Sequence, residues 1–256
     1  MRVLCVGDVT ASVGCEHLRK TLPRFKREHD IDVCIVNGEN SGNGNGMTKA
    51  SIESLFDSGA DVITGGNHSF RWREAYSVFD ENSFVLRPYN YPKGCIGHGI
   101  CKVDKGSYQV TVINLMGTAF MDPIDNPFEA IDRAIEEAGN PKICIVDFHA
   151  EATAEKKALA LYADGKISAF FGTHTHVQTA DEQILAGQTG YITDVGMTGP
   201  FYSVIGVRPT EPIQKMKYLM PVKFVNQDGP CSMDCVIFTI DEKTGRTTKV
   251  ERYQVT

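Results

Sequence analysis

The sequence has no apolar run that approaches the roughly 18 residues needed for a membrane-spanning helix. It also has no long basic run, and the 256 residues carry a formal net charge of −6. Broad electrostatic attraction to nucleic acid or to an anionic membrane is therefore not expected. An anionic substrate would need positive charge supplied locally, for instance by a metal. The opening residues, Met1-Arg2-Val3-Leu4-Cys5-Val6-Gly7-Asp8, read as a short apolar strand ending in Gly-Asp. They lack a signal-peptide shape, so a cytoplasmic protein is expected. No C-x-x-C pair occurs among the eight cysteines. Cys231 and Cys235 lie closest together, and no second pair completes a zinc site. Cys5, Cys34 and Cys144 sit in apolar β-like runs, where cysteine behaves as a small hydrophobe, so free or buried thiols are expected. Internal repeats, linkers and low-complexity segments are also missing.

Hydrophobic residues, at 42%, suffice for a sizeable core. Val3 to Val6 and Ile31 to Val36 are continuous apolar runs, the pattern of strands buried on both faces. Asp61 to Thr64, Phe84 to Leu86, Gly99 to Val103, Tyr108 to Leu115, Ile143 to Phe148 and Ile167 to Phe171 read as further strands. Ile184-Leu185, Tyr191 to Val195, Val222 to Val225, Met233 to Ile240 and Thr247 to Tyr253 follow, the last two as a hairpin. Helical spacing marks Cys15 to Glu28, Thr48 to Asp57, Arg71 to Phe79, Asp125 to Gly139 and Ala152 to Tyr162. Ser41 to Gly46 is too glycine-rich for anything but loop, and its spacing fails the dinucleotide fingerprint. Strands alternating with helices predict an α/β fold of two packed mixed β-sheets flanked by helices, as one domain over residues 1–256.

Ligands in such folds bind beyond the carboxyl ends of strands. Polar residues stand there repeatedly: Asp8, Glu39-Asn40, Asn67-His68, His149, and His174 with His176. Singly, each has a bland reading as a turn former, cap or hydrogen-bonded histidine. If the backbone after Phe171 stays extended, alternate residues point the same way and both imidazoles converge. Together the set offers carboxylates, amides and imidazoles without thiolate, which suits Mn or Fe, with Zn, Ni or Mg as further options. Two metals about 3.5–4 Å apart clamp the oxygens of a displacement at phosphorus. Glu39 is the natural bridge, having two oxygens to share.

In order, Gly7-Asp8, Gly38-Glu39-Asn40, Gly66-Asn67-His68, His149 and Gly172-Thr173-His174-Thr175-His176 resemble the metal-site blocks of calcineurin-like metallophosphoesterases. Asp8 is followed by Val9-Thr10 where most of that superfamily has Asp-x-His, and Glu39 stands where Asp is usual. Both departures resemble the YmdB-type branch of bacterial dimetal phosphodiesterases, as do Val146 to Thr153, Gly172 to Asp181 and Tyr191 to Pro200. The resemblance runs from the N-terminus to about Gly206. It implies that Asp8, Glu39, Asn40 and His176 hold one metal, and Glu39, Asn67, His149 and His174 the other. His174 and His176 then form a fork, each serving a different ion.

The resemblance also implies that a metal-bridging hydroxide attacks phosphorus in line. His68 would donate a proton to the leaving alkoxide, a role suited to imidazole because it titrates near neutrality. The substrates implied are small cyclic nucleotides, 2′,3′-cyclic and also 3′,5′-cyclic. Asn45 stands where Lys is common, Ser69-Phe70-Arg71 where Thr-Trp-Asp is common, and Ala154 where Ser is common, so substrate preference could differ. Arg87 could contact phosphate or pair with an acid. Asp194 could orient a ligating histidine or serve as a turn residue. The competing functions are a phosphomonoesterase or protein phosphatase on the same site, and a non-enzymatic nucleotide-binding regulator. Base rates alone leave room for a homo-oligomer.

Overall fold

Alternation along the first strand sorts the molecule into layers. In the computed structural model, which describes residues 1–43 and 45–256, Leu4 and Val6 face one apolar cluster and Val3 and Cys5 another. The chain begins β1 (Arg2–Val6), β2 (Asp8–Val9), α1 (Ala11–Glu28), β3 (Val33–Asn37), α2 (Lys49–Asp57) and β4 (Val62–Thr64). A 3-10 turn (Arg73–Ala75) then leads into α3 (Tyr76–Glu81), β5 (Ile100–Asp104), β6 (Gln109–Met116) and α4 (Pro127–Glu137). The next elements are β7 (Cys144–His149), α5 (Thr153–Tyr162), β8 (Ala169–Thr173), β9 (Gln183–Ile184) and β10 (Gly190–Ile192). Last come β11 (Met197–Pro200), α6 (Thr210–Tyr218), β12 (Cys231–Ile240) and β13 (Thr247–Val255).

Two mixed sheets result. One has seven strands in the order β2-β11-β12-β1-β3-β4, with β13 on the other edge of β12. In it β1, β3 and β4 run parallel, while β12 is antiparallel to β1 and β13. The second sheet has six strands in the order β5-β6-β7-β8-β10-β9, parallel from β6 to β10 and antiparallel at both edges. Val3, Cys5, Val33 and Ile35 pack between the sheets against Val112, Ile145, Phe171 and Ile192. Leu18, Leu22 and Phe25 of α1 and Ile52 and Leu55 of α2 cover the outer face of the first sheet. Ile131 and Ile135 of α4 and Leu159 of α5 cover that of the second. No helix among the described residues is long and apolar enough to cross a membrane. All eight cysteines are free, and seven are buried.

Several expected elements differ. Phe84 to Leu86 contributes only isolated bridges at Val85 and Leu86. Val222 to Val225 is irregular, and the strand-like composition there serves a loop joined to its neighbour at Val207 and Asn226. The helix expected at Arg71 to Phe79 begins as the 3-10 turn and continues to Glu81. The loop expected at 41–46 is irregular where described, and Gly44 lies outside the described residues. Helix α6 was not expected, because its large apolar residues Ile213 and Met216 are exposed and give no inward stripe.

Candidate active site

The ends of β1, β3, β4, β7 and β8 bring Asp8, Glu39, Asn40, Asn67, His68, His149, His174 and His176 together. Asp8, Glu39 and His149 are fully buried, and Asn40 nearly so. They surround a cleft of about 370 Å³, lined by Glu39, Asn40, His68, His174 and His176 among others. The densest point is His149 Nε2. It lies 2.9 Å from Asn67 Oδ1, 3.1 Å from Glu39 Oε1 and 3.0 Å from His174 Nδ1. Glu39, His149 and His174 each offer a ligand atom within 4.8 Å of the others. A second group forms beside it: His176 Nε2 is 3.7 Å from Asp8 Oδ1 and 3.2 Å from Asn40 Nδ2.

The partners of the outward ring nitrogens fix which nitrogen faces inward. Thr173 Oγ1 donates to Asp147 Oδ1 at 2.8 Å, so its lone pair is left to accept from His149 Nδ1–H at 2.9 Å. His174 Nε2 lies 3.1 Å from the Glu151 carboxylate, which can only accept. His176 Nδ1 lies 3.0 Å from the Ile205 carbonyl, again only an acceptor. In its neutral form each histidine therefore turns a nitrogen lone pair toward the cleft, where the carboxylates and the Asn67 oxygen already stand. Such a gathering of lone pairs is unfavourable unless a positive charge joins it. Asp8 Oδ1 is buried with no hydrogen-bond partner. These donors fit a divalent cation of the mixed oxygen–nitrogen kind.

The electrostatics agree. Burial lowers the affinity of His149 for a proton, but the Glu39 carboxylate, with Asp8 and Asp147, outweighs it and moves the pKa up to about 9. Burial raises the Glu39 carboxyl, yet His149 and His68 hold it well below the usual carboxylate range. Burial and the charge of His149 push His174 down to about 3, leaving a neutral imidazole. Without a cation the cluster collects a proton on His149; with one, the cation takes that place.

Two backbone features make the approach tolerable. A Cβ on Gly66 would meet Glu39 Oε2 at 2.3 Å and His149 Nε2 at 2.4 Å, so only glycine lets this turn lie against both. His174 and His176 have φ of +100° and +62°, so the stretch after β8 is not the expected extended run. Non-glycine residues there cost on the order of 1–3 kcal/mol and persist only where surroundings hold them. The intervening Thr175 is held by Asp194 Oδ2, which accepts from its N–H at 3.2 Å and its hydroxyl at 2.8 Å. That same oxygen takes Lys156 Nζ at 2.6 Å in a fully buried pair. Asp194 thus reaches the histidines through Thr175, between them, and not by direct contact with a ring.

Arg87 is a correction. Its Nε and Nη1 donate to the carbonyls of Ile96, Pro88 and Tyr89, which hold it in its own loop, and it is not among the residues that line the cleft. What sequence reasoning missed lies beneath this cluster. Asp147 on β7 points between the sheets and accepts from Thr64, Thr173 and Asn37. An aspartate at an inward position of an apolar strand is the signal that could have found it. Burial raises its pKa to about 7 despite those donors.

At the level of fold the architecture is shared with a candidate 5′-nucleotidase of Staphylococcus aureus, TM-score 0.65 at 14% identity over all of this chain and 54% of that one. The family described as YmdB-like protein matches residues 4–253, and the chain belongs to it. A 2′,3′-cyclic-nucleotide 2′-phosphodiesterase of Bacillus subtilis is 43% identical over 253 residues, 98% of this chain and 96% of that one. The structure of a novel phosphatase from Mycoplasma pneumoniae superimposes with TM-score 0.95 at 32% identity, covering 100% of this chain and 93% of that one.

Proposed function

We propose that this chain is a metal-dependent phosphodiesterase of small cyclic nucleotides, 2′,3′-cyclic and secondarily 3′,5′-cyclic, working with two Fe or Mn ions. Family membership and the activity in the Bacillus subtilis relative's name support hydrolysis of phosphoric diesters. The observation that carries the metal requirement is the convergence of Asn67, Glu39 and His174 on one nitrogen of His149, within 3.1 Å. Asp8, Glu39, Asn40 and His176 would hold one ion, and Glu39, Asn67, His149 and His174 the other. When bound, such ions offset phosphate charge and bring the pKa of water toward neutrality.

The chain's own residues supply the remainder. His68 lines the cleft with a third of its side chain exposed, and its Nδ1 lies 3.2 Å from Glu39 Oε1 and 3.1 Å from Asn40 Oδ1. Those oxygens accept from Nδ1–H and orient the ring, so Nε2 carries the proton that the departing alkoxide takes when the ring is in its imidazolium form. A cleft of about 370 Å³ falls within the size range of small-molecule sites and suits a mononucleotide. The family match over 4–253 supports a single catalytic domain across the chain.

Metal analysis joined to a phosphodiesterase assay of wild type and His68→Ala tests this reading. About two metals per chain are expected. The variant should keep them and lose roughly 10²–10⁴-fold in rate. A protein that takes up no metal, or a fully active variant, would sink the mechanism. A second reading keeps the site but makes the substrate a phosphomonoester, favoured by the name of the Mycoplasma pneumoniae structure. Comparing bis-aryl with mono-aryl phosphates separates the two.

A further inference from the structure

One wall of the cleft presents no metal-ligating or proton-donating side chain. It consists of Ile205, Val207 and Phe224. Ile205 is 53% exposed and Phe224 45%, large apolar surfaces left open beside a cluster of carboxylates and imidazoles. Scattered apolar exposure is ordinary, but contiguous apolar groups lining a polar cleft mark a binding surface.

The wall is built. Val207 and Asn226 form an antiparallel bridge, Arg208 N–H donates to the Val225 carbonyl at 2.8 Å, and Gln227 N–H donates to the Gly206 carbonyl at 3.0 Å. These bonds hold the segments carrying Ile205, Val207 and Phe224 side by side. Lys215 Nζ lies 5.1 Å from the Phe224 ring centroid. Phe224 lines the cleft and Lys215 does not. The wall is also registered on the metal site, because the Ile205 carbonyl faces His176 Nδ1 at 3.0 Å. Ile205 has φ +48°, an uncommon conformation for a β-branched residue, retained where it aims that carbonyl at a ligand.

We propose that Phe224, flanked by Ile205 and Val207, is the platform on which the nucleobase of the substrate stacks. The proposal rests on the phosphodiesterase reading and makes its substrate a mononucleotide recognised through its base. Every base has a π-face, so an aromatic platform without hydrogen-bonding side chains accepts purines and pyrimidines, with larger purines favoured through overlap. The cyclic phosphate then lies at His68 while the base occupies the apolar wall.

The test uses the Mn-loaded full chain and two cyclic phosphodiesters, adenosine 2′,3′-cyclic phosphate and glycerol 1,2-cyclic phosphate, which has no base. Phe224→Ala should raise KM for the nucleotide roughly tenfold, the order set by loss of one base–aromatic stack. It should leave kcat within about twofold and leave KM for the glycerol diester unchanged, because stacking is uniform binding remote from the reacting atoms. Phe224→Trp should behave as wild type. An unchanged nucleotide KM, or equal rises for both diesters, would overturn the platform, the latter because it reports a disturbed loop. If wild type turns over neither diester, the phosphodiesterase reading fails. Equilibrium dialysis of adenosine 3′-monophosphate then decides the platform: binding lost in Phe224→Ala upholds it, while binding kept or absent in wild type overturns it.

Discussion

His149 and Thr173 lie 2.9 Å apart across Nδ1 and Oγ1, and Thr173 donates its own proton to Asp147. That contact holds the proton of the neutral His149 ring on Nδ1, so Nε2 is the nitrogen left for a cation, or for a second proton when no cation is bound. Thr173→Val keeps the shape and removes the acceptor. Metal affinity is expected to fall about 10–100-fold, the usual effect of losing a partner behind a ligating histidine. Metal content after dialysis against a graded chelator measures it, and Thr173→Ser should restore wild-type retention.

The pKa of His149, raised to about 9 without metal, gives the apoprotein a defined pH dependence. The folded value exceeds the unfolded value of about 6.5. The resulting stabilisation is complete below about 6.5 and is lost as pH rises through 9. Thermal unfolding of apoprotein should therefore show His149's contribution shrinking between those values, and His149→Asn should remove that component. Metal competes with the same proton, so binding near neutrality should release protons. Calorimetry in buffers of different ionisation enthalpy would detect this, and an invariant apparent enthalpy would contradict it.

Gly66→Ala should fold and fail to hold metal. The added Cβ would lie 2.3 Å from Glu39 Oε2 and 2.4 Å from His149 Nε2, two proposed ligands rather than a flexible surface group. Circular dichroism near that of wild type, together with at least about tenfold weaker metal retention, is the expected pair of results. Wild-type metal content would show that the turn can yield.

Asn45 faces a cleft in which none of the described lining residues is lysine or arginine, and Glu151 adds negative charge. A dianionic monoester gains less there than it would beside a fixed cation. Asn45→Lys should strengthen inhibition by adenosine monophosphates by up to about fivefold, the scale of a partly exposed charge pair. The effect should fade in high salt, and a salt-independent gain would point to a different contact.

The residues that converge at the site were legible because each is local: a polar residue just after an apolar run, repeated at Asp8, Glu39, Asn67, His149 and His174. The two-sheet α/β fold followed from the same runs. Their supports were not legible. The Ile205 carbonyl behind His176 is a backbone group 29 residues away, which no residue pattern announces. Glu151 reads as one more exposed acid until His174 Nε2 is found 3.1 Å from it. Arg87 carried a charge that suggested an anion, and only tertiary structure shows it bound to three carbonyls. At Val222 to Val225 strand-like composition was real, but it equips a loop beside the cleft.

Asn37 and Thr64 of one sheet meet Asp147 and Thr173 of the other directly beneath the proposed ligands. These bonds set the relative height of the two sheets, and the ligands above inherit that setting. Asp8 and His176 bracket the donor set, so a chain emerging from synthesis cannot assemble it until β8 has appeared and docked. Metal captured at the site would therefore stabilise only molecules whose halves have met in register, and its uptake would act as a late checkpoint on their assembly.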